Sequence, residues 1–187
     1  ERVYEAVREN AKRASMIDQG EGVENASVGI PFPIPNSALQ VMWNHKLRYR
    51  GEAVQTQAGS AVVGNKGRFE ILKSFSIAKF PYSSIEEKER GSGLSTMLVG
   101  KRLSPSKTAG NKILIHESIN SAREPRRSWL YLVGQRRTRR APDLAYDAPL
   151  SSSDNITVAD NADMFNGAMD RFDWKLIKDN SSLIIDT

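Results

Sequence analysis

The stretch Trp129-Leu-Tyr-Leu-Val-Gly-Gln-Arg-Arg-Thr-Arg-Arg-Ala-Pro-Asp143 constrains this chain more than any other. It reads as one long β-strand, apolar at its start, basic at its end and stopped by Pro142. Trp129, Tyr131 and Val133 share one face at period two, while Leu130 and Leu132 share the other. Two apolar faces need cover on both sides, from a helix, a loop or a bound apolar molecule. Arg136, Arg137, Arg139 and Arg140 then carry the far end to water or to an anionic partner.

Strands of this kind recur from Glu52 onward, over 52–63, 68–82, 94–104, 112–120 and 127–140. Short turns join them, among them Gly64-Asn-Lys-Gly67 and Ser104-Pro-Ser-Lys-Thr-Ala-Gly110. Short turns mean an antiparallel meander, and strands longer than the usual five or six residues twist enough to curve into a half-barrel. In 68–82, Phe69, Ile71, Phe75 and Ile77 occupy one face, interrupted by Lys73 and Lys79. A short helix near 161–166, begun by Asp160 or Asn161 and ended by Gly167, is expected next. Further strands are expected at 171–177, where Phe172, Trp174 and Leu176 alternate with polar residues, and at Leu183-Ile-Ile185.

Two helices precede the sheet. The first is expected from residue 2 to about 18, with the stripe Val3, Tyr4, Val7, Ala11 and Ala14. Gly29-Ile-Pro-Phe-Pro-Ile-Pro35 is a stiff extended connector whose Phe32 and two isoleucines need cover. Ser37-x-x-Gln40 matches a capping box and opens a second helix with the stripe Leu39, Met42, Trp43 and Leu47. Both helices are candidates to plug the concave side of the sheet.

Catalytic signatures are missing. The chain has no cysteine and only two histidines, so disulfides, thiolate metal sites and H-E-x-x-H are excluded. No nucleophile elbow, phosphate loop or dinucleotide fingerprint occurs. His45 and His116 read as structural, and the aspartates from 154 to 173 do not match an EF-hand loop. An enzyme is not expected, and neither a cofactor nor a metal is implied. Net charge is +5, from 27 basic and 22 acidic residues, too small an excess for a dedicated nucleic-acid binder. No apolar run reaches membrane-spanning length. For the arginine run, three readings stand in order: pairing with acids on neighbouring strands, contact with acidic lipid headgroups, and nucleic acid.

Several blocks together resemble a known family. Gly29-Ile-Pro-Phe-Pro-Ile-Pro35, Trp43-Asn-His-Lys-Leu-Arg-Tyr-Arg-Gly51, Trp129 to Pro142, Asp163-Met-Phe-Asn-Gly167 and Arg171-Phe-Asp-Trp-Lys175 are similar to blocks of an uncharacterised family of proteobacterial secreted proteins. That family is related to outer-membrane lipoprotein-sorting proteins of the LolA and LolB type. The resemblance implies a mainly β (α+β) fold: a curved antiparallel sheet forming an incomplete barrel, with helices covering its concave face. It implies the periplasm or outer-membrane periphery of a Gram-negative bacterium, with a signal peptide lying outside this chain. Members are longer, so residues 1–187 are expected to form one domain of a larger polypeptide, with a helical and Pro-rich lid over 1–50 and the sheet over 52–187. Implied partners are a lipid or the acyl chain of a lipoprotein, peripheral membrane contact, and an inner-membrane exporter of the resistance-nodulation-division type.

Residues and resemblance converge on a non-enzymatic carrier of a lipid or other hydrophobic ligand. Leu39, Trp43, Phe75, Ile77, Trp129, Tyr131 and Phe165 are the expected lining of its cavity or lid, with Arg136, Arg137, Arg139 and Arg140 at an anionic-headgroup rim. The alternatives are a periplasmic scaffold for the exporter that binds no lipid and, third, a nucleic-acid-binding domain.

Overall fold

A computed structural model describes residues 1–150, 153 and 155–177. Helix α1 (Arg2–Arg13) opens the chain, followed by a small hairpin of β1 (Ser15–Ile17) and β2 (Gly22–Glu24). The helix stops earlier than its pattern suggests, because Ala14 is already extended and leads into β1. Its expected stripe is only partly right. Val3 and Val7 are half-buried, but Tyr4 and Ala11 face solvent. The residue α1 buries most deeply is polar: Asn10 donates to the carbonyls of Ser27 and Ile30 at 3.0 and 3.1 Å and accepts the Ser27 N–H at 3.0 Å. Buried amides are tolerated only when paired in this way.

The proline-rich connector crosses beneath α1. Gly29 has φ +87°, and a Cβ there would stand 3.0 Å from the Val7 side chain, so the crossing needs glycine. On its far side Asn44 grips Phe32, accepting its N–H at 2.9 Å and donating to its carbonyl at 2.6 Å. Two asparagines thus satisfy backbone groups that a proline-punctuated segment cannot offer to a sheet. Phe32 is buried as expected; Ile34 is 85% exposed and lacks the cover expected for it.

Helix α2 (Ala38–Leu47) begins with the foreseen capping box. Ser37 Oγ accepts from Gln40 N–H at 3.3 Å, and Gln40 Oε1 reaches back to Asn36 N–H at 2.7 Å. Trp43 and Leu47 are buried, and the indole N–H of Trp43 donates to Gly20 O at 2.8 Å.

The sheet contains β3 (Ala53–Val63), β4 (Phe69–Lys79), β5 (Leu94–Ser104), β6 (Lys112–Ser118), β7 (Arg127–Leu132) and β8 (Arg137–Arg140). Each pairs antiparallel with the next, so the fold is mainly β with few helices. Among the described residues β3 and β8 are free edges and do not meet, so no barrel closes. The segment read as one strand over 127–140 is instead the hairpin β7–β8. Gly134 and Arg136, the latter at φ +50°, turn the chain, and the N–H groups of Gln135 and Arg136 donate to Leu132 O and Val133 O. Val133 therefore lies at the start of the turn, beyond the end of β7 that carries Trp129 and Tyr131.

The helices do not lie along the sheet. They gather at one end of it, around a core of Val23, Phe32, Trp43, Leu47, Tyr82 and Met169, with Leu39, Met42, Ile119, Phe165 and Trp174 packed against it. Most of these partners sit in connecting segments outside the strands, which is why a helix read as a lid becomes an end-cap. Only a 3₁₀ turn, Ala159–Asn161, stands near the helix expected over 161–166. Asp163 and Met164 have φ of +56° and +71°, which no α-helix accommodates. Residues 171–177 form no strand: Phe165, Phe172 and Trp174 meet edge-to-face, with centroids 4.9 to 5.9 Å apart, in place of a ladder. The strand expected at 183–185 lies outside the described residues.

A cationic and apolar sheet face

Register decides which side chains stand together. Directly opposed residues on antiparallel strands point to the same side. One row across the sheet is Gln55, Ile77, Val99, Leu114, Trp129 and Arg140. The adjacent row on the same face is Gln57, Phe75, Lys101, Lys112, Tyr131 and Thr138, and the row on the other side is Ala53, Lys79, Met97, His116 and Arg127. Beyond them Ile71 and Phe69 continue the face opposite Ala61 and Val63.

An apolar row thus runs between two rows that carry cations, and no Asp or Glu belongs to any of the three. The middle row is open: Ile77, Val99 and Leu114 are 41, 44 and 38% exposed. Phe75, Met97, Trp129 and Tyr131 are half-buried by their neighbours. His116 meets the Trp129 edge at 5.4 Å, and the Lys112 ammonium stands 6.0 Å from the Tyr131 centroid. Burial and then Arg127 push the His116 imidazole below the usual histidine value, so it joins the strip as a neutral aromatic near neutral pH.

The predicted lining residues divide between two places. Phase and pairing bring Phe75, Ile77, Trp129 and Tyr131 together on the open face. Leu39, Trp43 and Phe165 belong to the end core, with Trp43 fully buried, and line no shared cavity with the first four. The arginines divide too. Arg140 stands opposite Trp129 on the open face, Arg137 and Arg139 lie on the reverse face opposite Leu132 and Leu130, and Arg136 is in the turn. Val99, Leu114, Lys101, Lys112 and His116 were missed, since only the pairing register shows that they join the same strip.

At the packed end the chemistry is different. Glu117 is buried and holds the Arg126 guanidinium through both oxygens, while the Lys46 ammonium approaches it at 3.6 Å. Burial lowers the Lys46 pKa, with Glu117 opposing that shift. Arg126 also donates to Leu144 O and Asn166 O, and Lys46 donates to Gly167 O at 3.0 Å. His45, whose Nε2 donates to Asp163 O at 2.7 Å, and Arg48 and Arg50, both ion-paired with the Asp163 carboxylate, fasten the same segment. These groups are spent on one another and act as a clasp. A cleft of about 520 Å³ beside them is walled by Glu21, Glu117, Glu124, Arg126, Arg127, Arg140 and Asp170, with Tyr146. Of the predicted site residues only Arg140 reaches it, so it is not the apolar hollow expected. Among the described residues no three His, Asp or Glu side chains converge as a metal site, and no helix is long and apolar enough to cross a membrane.

An uncharacterised protein of Pseudomonas aeruginosa, PA3922, is 39% identical over 176 residues, covering 93% of this chain and 38% of its own length. The chain therefore spans well under half of that relative. A crystal structure of a DUF1329 family protein from Desulfovibrio piger aligns over 58% of this chain and 42% of that one, at 14% identity and a TM-score of 0.43. The family model described as "Protein of unknown function (DUF1329)" matches residues 1–185, and the chain belongs to that family.

Proposed function

We propose that this protein binds an amphiphile with an anionic head, such as a lipid or the acyl chain of a lipoprotein, on the open face of its sheet. One observation carries the reading: the partly exposed row Ile77, Val99, Leu114 and Trp129 lies between a row bearing Lys101 and Lys112 and a row bearing Lys79 and Arg127, and none of the three rows contains Asp or Glu. Each methylene withdrawn from water contributes up to about 0.8 kcal/mol, so a chain laid along the row gains affinity from length. Lysine and arginine stems extend the apolar surface while their charges stay at its margin, where a phosphate or carboxylate head would sit. Arg140 belongs to this margin; Arg137 and Arg139 serve the reverse face.

A non-enzymatic carrier in the Gram-negative periplasm or at the outer-membrane periphery is the setting this chemistry suits, with sheet curvature of the incomplete-barrel type. Kinship with the LolA and LolB sorting proteins belongs to the same reading and rests on the sequence blocks quoted above. The test is titration with dodecyl phosphate below its micellar concentration, read by tryptophan fluorescence and native mass spectrometry. Binding is expected to weaken at least tenfold in Leu114→Ser and in Lys101→Glu. No binding, or binding that both substitutions leave untouched, overturns the proposal.

A further inference from the structure

The two edges of the sheet are built differently. The β8 edge is four residues long and carries Arg137, Arg139 and Arg140, the charged and short form that discourages another strand. The β3 edge is eleven residues long, Ala-Val-Gln-Thr-Gln-Ala-Gly-Ser-Ala-Val-Val, without a charge or a proline. All but Val62 of its residues are exposed, and one of its two backbone edges has no strand partner among the described residues. A free edge is a row of alternating N–H and C=O groups, so what it recognises is another extended backbone.

We propose that β3 pairs antiparallel with β3 of a second copy of this chain, centred on Ala58. Symmetry restricts the register. A twofold axis perpendicular to the sheet keeps each face on its own side, and directly opposed residues must point the same way, so paired residue numbers must sum to an even value. Overlap of all eleven residues occurs in one such register, Ala53 with Val63 and Ala58 with itself. It sets Val54 against Val62, Gln55 against Ala61, Thr56 against Ser60 and Gln57 against Gly59. No like charges oppose one another, and β-branched residues pair where cross-strand contacts stabilise a sheet. The same arithmetic makes the two cationic and apolar faces continuous on one side of a twelve-stranded sheet, although the pairing stands whether or not that face binds an amphiphile. A charge-free edge favours a copy of itself over an acidic or basic strand, which would find no counter-charge there.

Sedimentation of the chain across micromolar to millimolar concentration reads the pairing directly. A concentration-dependent species of twice 20.8 kDa is expected. Ala58→Lys sets two ammonium groups face to face and is expected to raise the dissociation constant at least tenfold. Gln57→Pro is expected to do the same, because the even-numbered residues of β3 bond to β4 and Gln57 turns its N–H to the open edge. Because the chain has no cysteine, Ala58→Cys supplies a single thiol at the axis. It is expected to cross-link under mild oxidation at least ten times faster than Lys107→Cys on a distant turn. A chain that stays monomeric throughout, a dimer indifferent to both edge substitutions, or equal cross-linking at positions 58 and 107 overturns the proposal.

Discussion

The packed end and the open strip use hydrophobic residues to opposite effect. At the end, Trp43, Leu47 and Tyr82 disappear among connecting segments, and each polar atom that goes in with them is matched: indole N–H to Gly20 O, and phenol O–H to Gly29 O at 2.9 Å. On the strip, Ile77, Val99 and Leu114 are in strands of equal regularity, yet each keeps about two fifths of its surface in water. Stability should therefore concentrate in the first region and binding in the second. A side chain's contribution is set by what it removes from water, not by its hydrophobicity alone.

The sharpest way to break this division is Glu117→Ala, which leaves Lys46 and Arg126 buried without their carboxylate. Loss of one partner from such a cluster costs about 3–5 kcal/mol, and a shift of the urea midpoint would record it. A loss below about 1 kcal/mol would show that the end is less committed than its geometry indicates.

Tyr82→Phe should cost about 1–3 kcal/mol by orphaning the Gly29 carbonyl. It also carries a pH signature. Burial raises the Tyr82 phenol above its usual value, so the neutral form is favoured in the fold. The stability this contributes is complete below the unfolded pKa near 10 and is lost as pH rises above it. The variant should flatten that alkaline decline in denaturation midpoints.

Val99→Ser tests the other region. It should change stability by no more than about 1 kcal/mol, since Val99 is already half in water, while reducing dodecyl phosphate binding measured by fluorescence. Large unfolding with unchanged binding would reverse the comparison.

The smallest effect is expected from Asp18→Asn. Asp18 accepts from Asn120 Nδ2 at 2.6 Å and pairs with Arg123, and these contacts hold its carboxyl below the usual range. What they contribute is present above the unfolded pKa and is lost as pH falls through the lower, folded value. Asn should lower stability slightly at pH 7, change it little at low pH, and so soften the acid limb of a stability profile.

Strands were legible because period and turn chemistry agree locally. The sequence reading of 94–104 coincides with β5, and 52–63 differs from β3 by one residue. Alternation also placed Phe75 with Ile77, and Trp129 with Tyr131, on the correct shared faces. Joining those two pairs into one strip needs the register of four strands, which no local pattern contains. The 127–140 stretch misled because Val133 extends an apolar alternation into a turn formed by Gly134 and a left-handed Arg136. At 171–177 the alternation was real, but Phe172 and Trp174 found Phe165 before they found a strand partner. Amphipathic stripes showed that α1 and α2 pack, and could not show against what. Asn10 and Glu117 belong to no stripe or motif, and their burial depends on partners 17 and 9 residues away.

Arg126 and Lys46 fasten residues 144–167 by gripping main-chain oxygens of Leu144, Asn166 and Gly167. A carbonyl is the same whichever amino acid bears it, so the grip on Leu144 and Asn166 does not depend on their side chains, whereas at Gly167 a Cβ would stand 2.8 Å from the Asp160 side chain and only glycine fits. Among the described residues of the segment, only at Asp163, whose carboxylate meets Arg48 and Arg50, does the mooring ask for a particular charged side chain, so neutralising that residue should loosen the end of the sheet more than trimming Asn166.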